Sequence, residues 1–221
     1  MYYTLLMLGS GLFWTATYVL IIQRSWRDHS YGMPLVALCA NISWEFIFTF
    51  LLPPHLIQHI VDIVWFVLDA GIFALTILYG PKEFPTLAKR IFYGMFALTL
   101  VTSFFAVLFV TLEFHDSGTY SAFGQNLMMS VLFIPMLFRR GSLRGQSLAI
   151  ALCKLIGTAF ASLAFYLYAV SYHHSVLLPF LYIATFIYDV LYVGLVYTRL
   201  RTATKIAQKP AVEVEQIVTS I

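Results

Sequence analysis

Six ionisable side chains stand within or at the edges of long apolar runs: Glu45, Asp62, Asp69, Glu113, Lys154 and Asp189. A charge at the centre of a bilayer costs at least about 2.5–3.5 kcal/mol, so residues of this kind face a bundle interior and mark function. Removal from water disfavours the ionised form of a carboxyl. A carboxyl that keeps its proton in hydrocarbon is a dry Brønsted acid. The plainer alternative is a neutral carboxyl that hydrogen-bonds between helices. Aromatic residues gather around the same positions. Trp44, Phe46 and Phe48 surround Glu45, Trp65 and Phe66 precede Asp69, and Tyr188 and Tyr192 bracket Asp189. Aromatic faces stabilise a desolvated cation by about 0.5–2 kcal/mol. An acid in an aromatic-walled, water-poor cavity suits carbocation chemistry on an apolar substrate.

Metal and nucleophile chemistry is poorly represented. His55 and His59 at i, i+4, with Asp62 three residues on, form the one spacing that suits zinc. The chain has no GxSxG, HExxH or P-loop pattern. It also has no adjacent acid pair of the kind that holds magnesium and diphosphate. No cofactor is expected.

These residues need a membrane to hold them. Of 221 residues, 61% are hydrophobic and 10% charged, against about 25% charged in soluble domains. The chain lacks the polar surface to face water, which excludes a soluble enzyme and any nucleic-acid partner. A helix needs about 20 mostly apolar residues to cross about 30 Å of hydrocarbon. Seven runs satisfy this: 4–22, 34–52, 61–79, 91–112, 119–138, 147–169 and 176–198. The expected fold is an all-α bundle of seven transmembrane helices. Residues 1–200 would form one domain, and the polar stretch 201–221 a frayed cytosolic tail.

Charge orients the bundle. Twelve of the thirteen Lys and Arg fall in loops 23–33, 80–90 and 139–146 or after residue 198, and the opposite loops contain none. The positive-inside rule then puts the N-terminus outside or in the lumen and the C-terminus in the cytosol. On that frame Glu45 lies about 16 Å, and Asp189 about 14 Å, from the cytosolic end of its helix. Their similar depth predicts a shared cavity. Lys154, about 10 Å deep, is expected to reach the cytosol along its stem. Asp62 and Glu113 read as interfacial carboxylates, and Asp69, seven residues after Asp62, is ambiguous.

The run from His29 to Phe50, with Tyr31-Gly32, Asn41 and Trp44-Glu45-Phe46, resembles a specific family. It is similar to the small integral-membrane terpene cyclases of fungal meroterpenoid and indole-diterpene pathways, which have bacterial relatives. Arg140-Gly-Ser-Leu-Arg-Gly145 resembles that family's basic turn before helix six. Tyr188-Asp189 and Tyr192, ahead of Tyr197-Thr-Arg199, resemble its last helix. The resemblance implies cyclisation of a farnesyl or geranylgeranyl chain on an aromatic or indole head. Protonation of a terminal epoxide or olefin would start it, without a metal. The same resemblance marks Glu45 and Asp189 as the two acids. Asn41, on the face of Glu45 (i, i+4), is read as orienting its carboxyl. Trp44, Trp65, Asp69, Tyr188 and Tyr192 complete the expected substrate-binding set.

The rival reading is a proton-coupled small-molecule transporter, since intramembrane carboxylates serve proton relays equally well. A retinal protein is disfavoured because the seventh span lacks a lysine for a Schiff base. The expected partners are a hydrophobic prenylated small molecule and the bilayer itself. The host membrane would be the endoplasmic reticulum in a eukaryote, or the plasma membrane in a bacterium.

Overall fold

A computed structural model describes the backbone of residues 1–219 and the side chains of residues 1–204. The described residues are helical, with no strand: α1 Tyr2–Asp28, α2 Leu35–Phe46, α3 Leu56–Tyr79, α4 Lys89–Phe114, α5 Thr119–Arg140, α6 Leu148–Tyr168 and α7 Leu177–Thr219. Each apolar run from the sequence has become one helix. Six of the seven are long and apolar enough to cross a membrane. The helix of α7 continues without a break past residue 200. The side chains of most of the expected polar tail lie outside the described residues.

The second helix departs from expectation. Pro34 caps it in an extended conformation, its regular part ends at Phe46, and Ile47–Leu51 widen into a π-turn ahead of Pro53-Pro54. Its apolar helical length is the 17 residues Leu35–Leu51, or about 26 Å at 1.5 Å per residue. The stretch before it is not helical, yet Ser30, Tyr31 and Met33 are buried. Irregular backbone at membrane depth is tolerated where protein surrounds it and satisfies its polar groups.

Partners from other loops meet that requirement. Arg140 donates to the Tyr31 carbonyl at 2.8 Å and Arg139 to the Tyr31 hydroxyl, while Ser30 donates to Glu83 at 2.8 Å. Arg144 pairs with the same Glu83 oxygen at 2.8 Å, and the Gly145 N–H donates to Asp28 at 2.8 Å. Gly145 sits at φ 71°, where a Cβ would press on the Arg140 guanidinium and the Tyr31 carbonyl. The two basic-end motifs, Tyr31-Gly32 and Arg140 to Gly145, therefore form one latch that fixes the start of α2.

Packing makes α2 the inner helix. It lies against α3, α4 and α5, while α1 packs on α3 and α6, and α7 packs on α5 and α6. Seven of its twelve regular residues are buried, Asn41, Ser43 and Glu45 among them. Leucine, isoleucine, valine and phenylalanine on the outer helices stay exposed, as side chains facing lipid should.

Candidate active site

A cavity of about 790 Å³ opens between α1, α2, α3, α5 and α6 at the end of the bundle away from the basic latch. Its size falls within the range of about 300–1,000 Å³ typical of small-molecule sites. Three of the chain's four tryptophans, Trp14, Trp44 and Trp65, line it with Tyr18, Phe48 and Phe123. No Lys or Arg does so. The rim includes Leu8 and Ile57, 60% and 74% exposed.

Local structure aims the α2 side chains at this space. Trp44 donates its indole N–H to the Gly118 carbonyl at 3.0 Å, which ties α2 to the turn before α5. Gly118 has φ 85°, and a Cβ there would collide with Phe48 and Trp44, so only glycine permits the approach. The π-turn follows directly after Glu45 and Phe46 and carries Phe48 onto the wall. Such turns recur at functional sites because they re-aim side chains that a regular helix would place elsewhere.

Glu45 is 2% exposed and lines the cavity. Its Oε1 accepts from the Tyr18 hydroxyl at 3.3 Å, and Oε2 has no hydrogen-bond partner among the described residues. A chain of polar groups runs on behind it. The Asn41 amide donates to the Tyr18 oxygen at 2.5 Å and to Asp69 Oδ2 at 2.7 Å, and Gln125 reaches the Asn41 carbonyl at 3.5 Å. Trp65 donates to Thr15 at 3.0 Å and packs edge-on against Tyr18. The wall thus combines aromatic faces with a buried acid, Glu45, an arrangement suited to cation chemistry.

Residues 1–203 match the Pyr4-like transmembrane terpene cyclases as a family. The chain belongs to that family. A Pyr4-family terpene cyclase of Annulohypoxylon moriforme, mfmH, is 35% identical over 167 residues, 72% of this chain and 68% of the relative. The terpene cyclase penB of Penicillium crustosum is 34% identical over 165 residues, 71% of this chain and 68% of the relative. The terpene cyclase pyr4 of Aspergillus fumigatus is 27% identical over 157 residues, 69% and 65% of the two chains. The chain spans about two thirds of the length of these relatives. No solved structure matches it. The family makes the chain an integral membrane protein and a terpene cyclase, and nothing in the comparisons supports the transporter reading.

Within this family member the expected site residues divide. Glu45, Asn41, Trp44 and Trp65 line the cavity, and Asp69 stands one hydrogen bond behind Asn41. Asp189 does not join them, because α7 packs on the outer side of α5 and α6. It is bound by Lys154, whose Nζ lies 2.8 and 3.1 Å from its two carboxyl oxygens and also donates to Ser130 at 2.6 Å. Both side chains are 1% exposed. Lys154 therefore ends in an ion pair instead of reaching the cytosol. Its ammonium sits 5.7 Å from the centre of the Trp14 ring, directly behind the cavity wall.

The two tyrosines beside Asp189 are also off the wall. Tyr188 is 37% exposed, and Tyr192 is buried, donates to Gln146 at 2.8 Å and stacks on Phe133. Glu113 is exposed, as an interfacial carboxylate should be. Asp62, near the outer end of α3, is fully buried in the protein and lines the cavity. His59 contacts the Thr49 carbonyl and Asp62 accepts from Gln58, so the three residues spaced for zinc form no ligand set among the described residues. Tyr18 and Gln125 were missed because hydroxyls and amides in an apolar run carry no periodic signal.

Proposed function

We propose that this cyclase takes a prenylated aromatic or indole substrate of the meroterpenoid type and starts its cyclisation by proton transfer from Glu45. The observation that carries the reading is the position of Glu45. Of the three carboxyls expected deep in the membrane, it alone lines the aromatic cavity. The prenyl tail enters past the apolar rim at Leu8 and Ile57, and the polar head stays near the mouth. The protonated Glu45 gives its proton to the terminal epoxide oxygen or olefin. The cavity holds the polyene folded so that successive double bonds trap the cation, a gain mostly in orientation and entropy. Trp14, Trp44 and Trp65 shield the cation from water and stabilise it through their faces.

Tyr18 orients the Glu45 carboxyl, and Asn41, fixed on Asp69, holds the Tyr18 hydroxyl in place. Asp189 acts through Lys154: the pair locks α6 to α7 and backs the Trp14 wall. All seven helices cross the bilayer in this reading. The N-terminus and cavity mouth face the lumen or exterior, and the short α2 is completed by the buried segment before it. The membrane is the endoplasmic reticulum in a eukaryotic host, or the plasma membrane in a bacterium.

The test uses membranes containing the chain, fed a farnesyl-substituted phenol and, separately, its terminal epoxide. A product isomeric with the substrate consumed, absent from membranes with Glu45→Gln, is the expected result. Undiminished turnover by Glu45→Gln would overturn the assignment of the acid.

A further inference from the structure

A cyclisation of this kind takes in one proton and gives one up, and Glu45 accounts only for the first. Resting on the cyclase reading above, we infer that Asp62 is a second carboxyl of the active site, the base that receives the departing proton. Asp62 lies six residues into α3 from Leu56, and Glu45 six residues before Leu51, so each is about 9 Å from the end of its helix on the cavity-mouth side of the bundle. Two adjacent helices thus present one carboxyl each to one cavity at one depth.

Asp62 is 0% exposed. Its Oδ1 accepts a hydrogen bond from the Gln58 amide at 2.7 Å, and its Oδ2 has no partner among the described residues. Gln58 also lines the cavity, one turn closer to the mouth. The Gln58 amide can donate to either form of the carboxyl and favours the ionised one. No lysine or arginine on the wall neutralises Asp62, in contrast to Asp189, which Lys154 occupies fully. Burying a carboxyl without a cationic partner is costly, and no ion pair compensates for it here.

The reaction's geometry asks for such a group. Ring closure moves the cation along the prenyl chain from the initiating end toward the head group, away from Glu45. The other carboxyls are poorly placed for the last step, since Asp69 stands behind Asn41 and Asp189 is paired outside the wall. Asp62 lines the same cavity from α3, and the Gln58 amide bonded to it stands one turn nearer the mouth.

The step balances. The O–H bond of Glu45 breaks and its proton goes to the epoxide oxygen as a C–O bond opens, or to the terminal alkene carbon. Double bonds then become ring C–C bonds. At the last cation a C–H bond breaks, its electrons form an alkene, and the proton goes to Asp62. Where a head-group oxygen closes the ring, its O–H proton goes there instead. Substrate and product are isomers, and nothing is oxidised or reduced. Return of the proton from Asp62 to Glu45 through water admitted at the mouth resets the site.

The experiment feeds membranes with farnesyl- and geranylgeranyl-substituted phenol and indole, each as olefin and as terminal epoxide. Asp62→Asn should still consume the probe that the unsubstituted chain uses. Its isomeric product should fall about 100-fold, the size of a lost general base, with products one water heavier in its place. Asp62→Glu should restore the isomer, which separates a proton-accepting role from a folding defect. Gln58→Leu should shift products in the same direction but less. An unchanged product pattern in Asp62→Asn overturns the inference, as does a block to substrate consumption that Asp62→Glu does not relieve. Turnover by Glu45→Gln, or by none of the probes with the unsubstituted chain, would instead overturn the reading on which the inference rests.

Discussion

Glutamine at position 45 keeps the shape of the glutamate and its hydrogen bond from Tyr18 but carries no acidic proton. If Glu45 starts the reaction, Glu45→Gln lowers kcat by about 10²–10⁴, the usual worth of a positioned general acid. The amount of inserted protein is unchanged, which immunoblotting of washed membranes beside the turnover assay checks. Tyr18→Phe tests the group behind the acid. It removes the hydroxyl that donates to Glu45 at 3.3 Å and accepts from Asn41 at 2.5 Å, while Asn41 keeps its bond to Asp69 at 2.7 Å. A net buried hydrogen bond is worth about 0.5–1.5 kcal/mol, so kcat should drop by up to about tenfold. KM stays constant, because Tyr18 orients the acid and does not grip the substrate. A rise in KM with kcat preserved would make Tyr18 part of the binding wall alone.

The buried pair of Lys154 on α6 and Asp189 on α7 sets the next expectation, at the level of elements. Removing one partner of a buried ion pair costs about 3–5 kcal/mol, whereas replacing both by apolar residues is often neutral. Asp189→Asn should therefore lower the thermal midpoint in detergent and abolish turnover together. The double variant Lys154→Met/Asp189→Leu should recover the midpoint, and turnover to within about tenfold; a stable but inactive double variant would show that Asp189 does chemistry. This pairing was not legible in the sequence. Thirty-five positions separate the two residues, and depth along a helix says nothing about which side a helix presents or which neighbour it meets. Equal depth suggested that Glu45 and Asp189 share a cavity, but α7 packs outside α5 and α6. The helices were legible, because hydropathy records which segments lipid must surround. The π-turn that ends α2 was not, since Ile47 to Leu51 are as apolar as the residues before them and hydropathy does not register the width of a helical turn. Gly118 joins site to element as well. Its left-handed backbone and its contact with Phe48 and Trp44 mean that Gly118→Ala costs more than about 1 kcal/mol. The detergent midpoint should show that loss.

At the scale of the whole molecule, charge and cavity occupy opposite ends. The basic loops hold Arg139, Arg140 and Arg144 in contact with Tyr31, Glu83 and Phe84, so part of the orientation signal is also structural cement. The cavity wall reaches the other end through Pro53, His55 and Ser117. In the proposed orientation that end faces the lumen or exterior, and a substrate made on the cytosolic face would cross through the lipid to reach it. The exposed apolar rim at Leu8 and Ile57 fits that route. Thiol labelling in sealed microsomes tests the arrangement. Cys39 is buried and Cys153 half-buried within α6, so Cys153→Ala gives a quiet background. Ser142→Cys, in the turn after α5, should react with a membrane-impermeant maleimide before permeabilisation. His115→Cys, in the turn after α4, should react only afterwards. The reverse pattern would turn the bundle over and open the cavity to the cytosol. Labelling of both positions before permeabilisation would mean that α5, the one helix between them, does not separate two sides of the membrane.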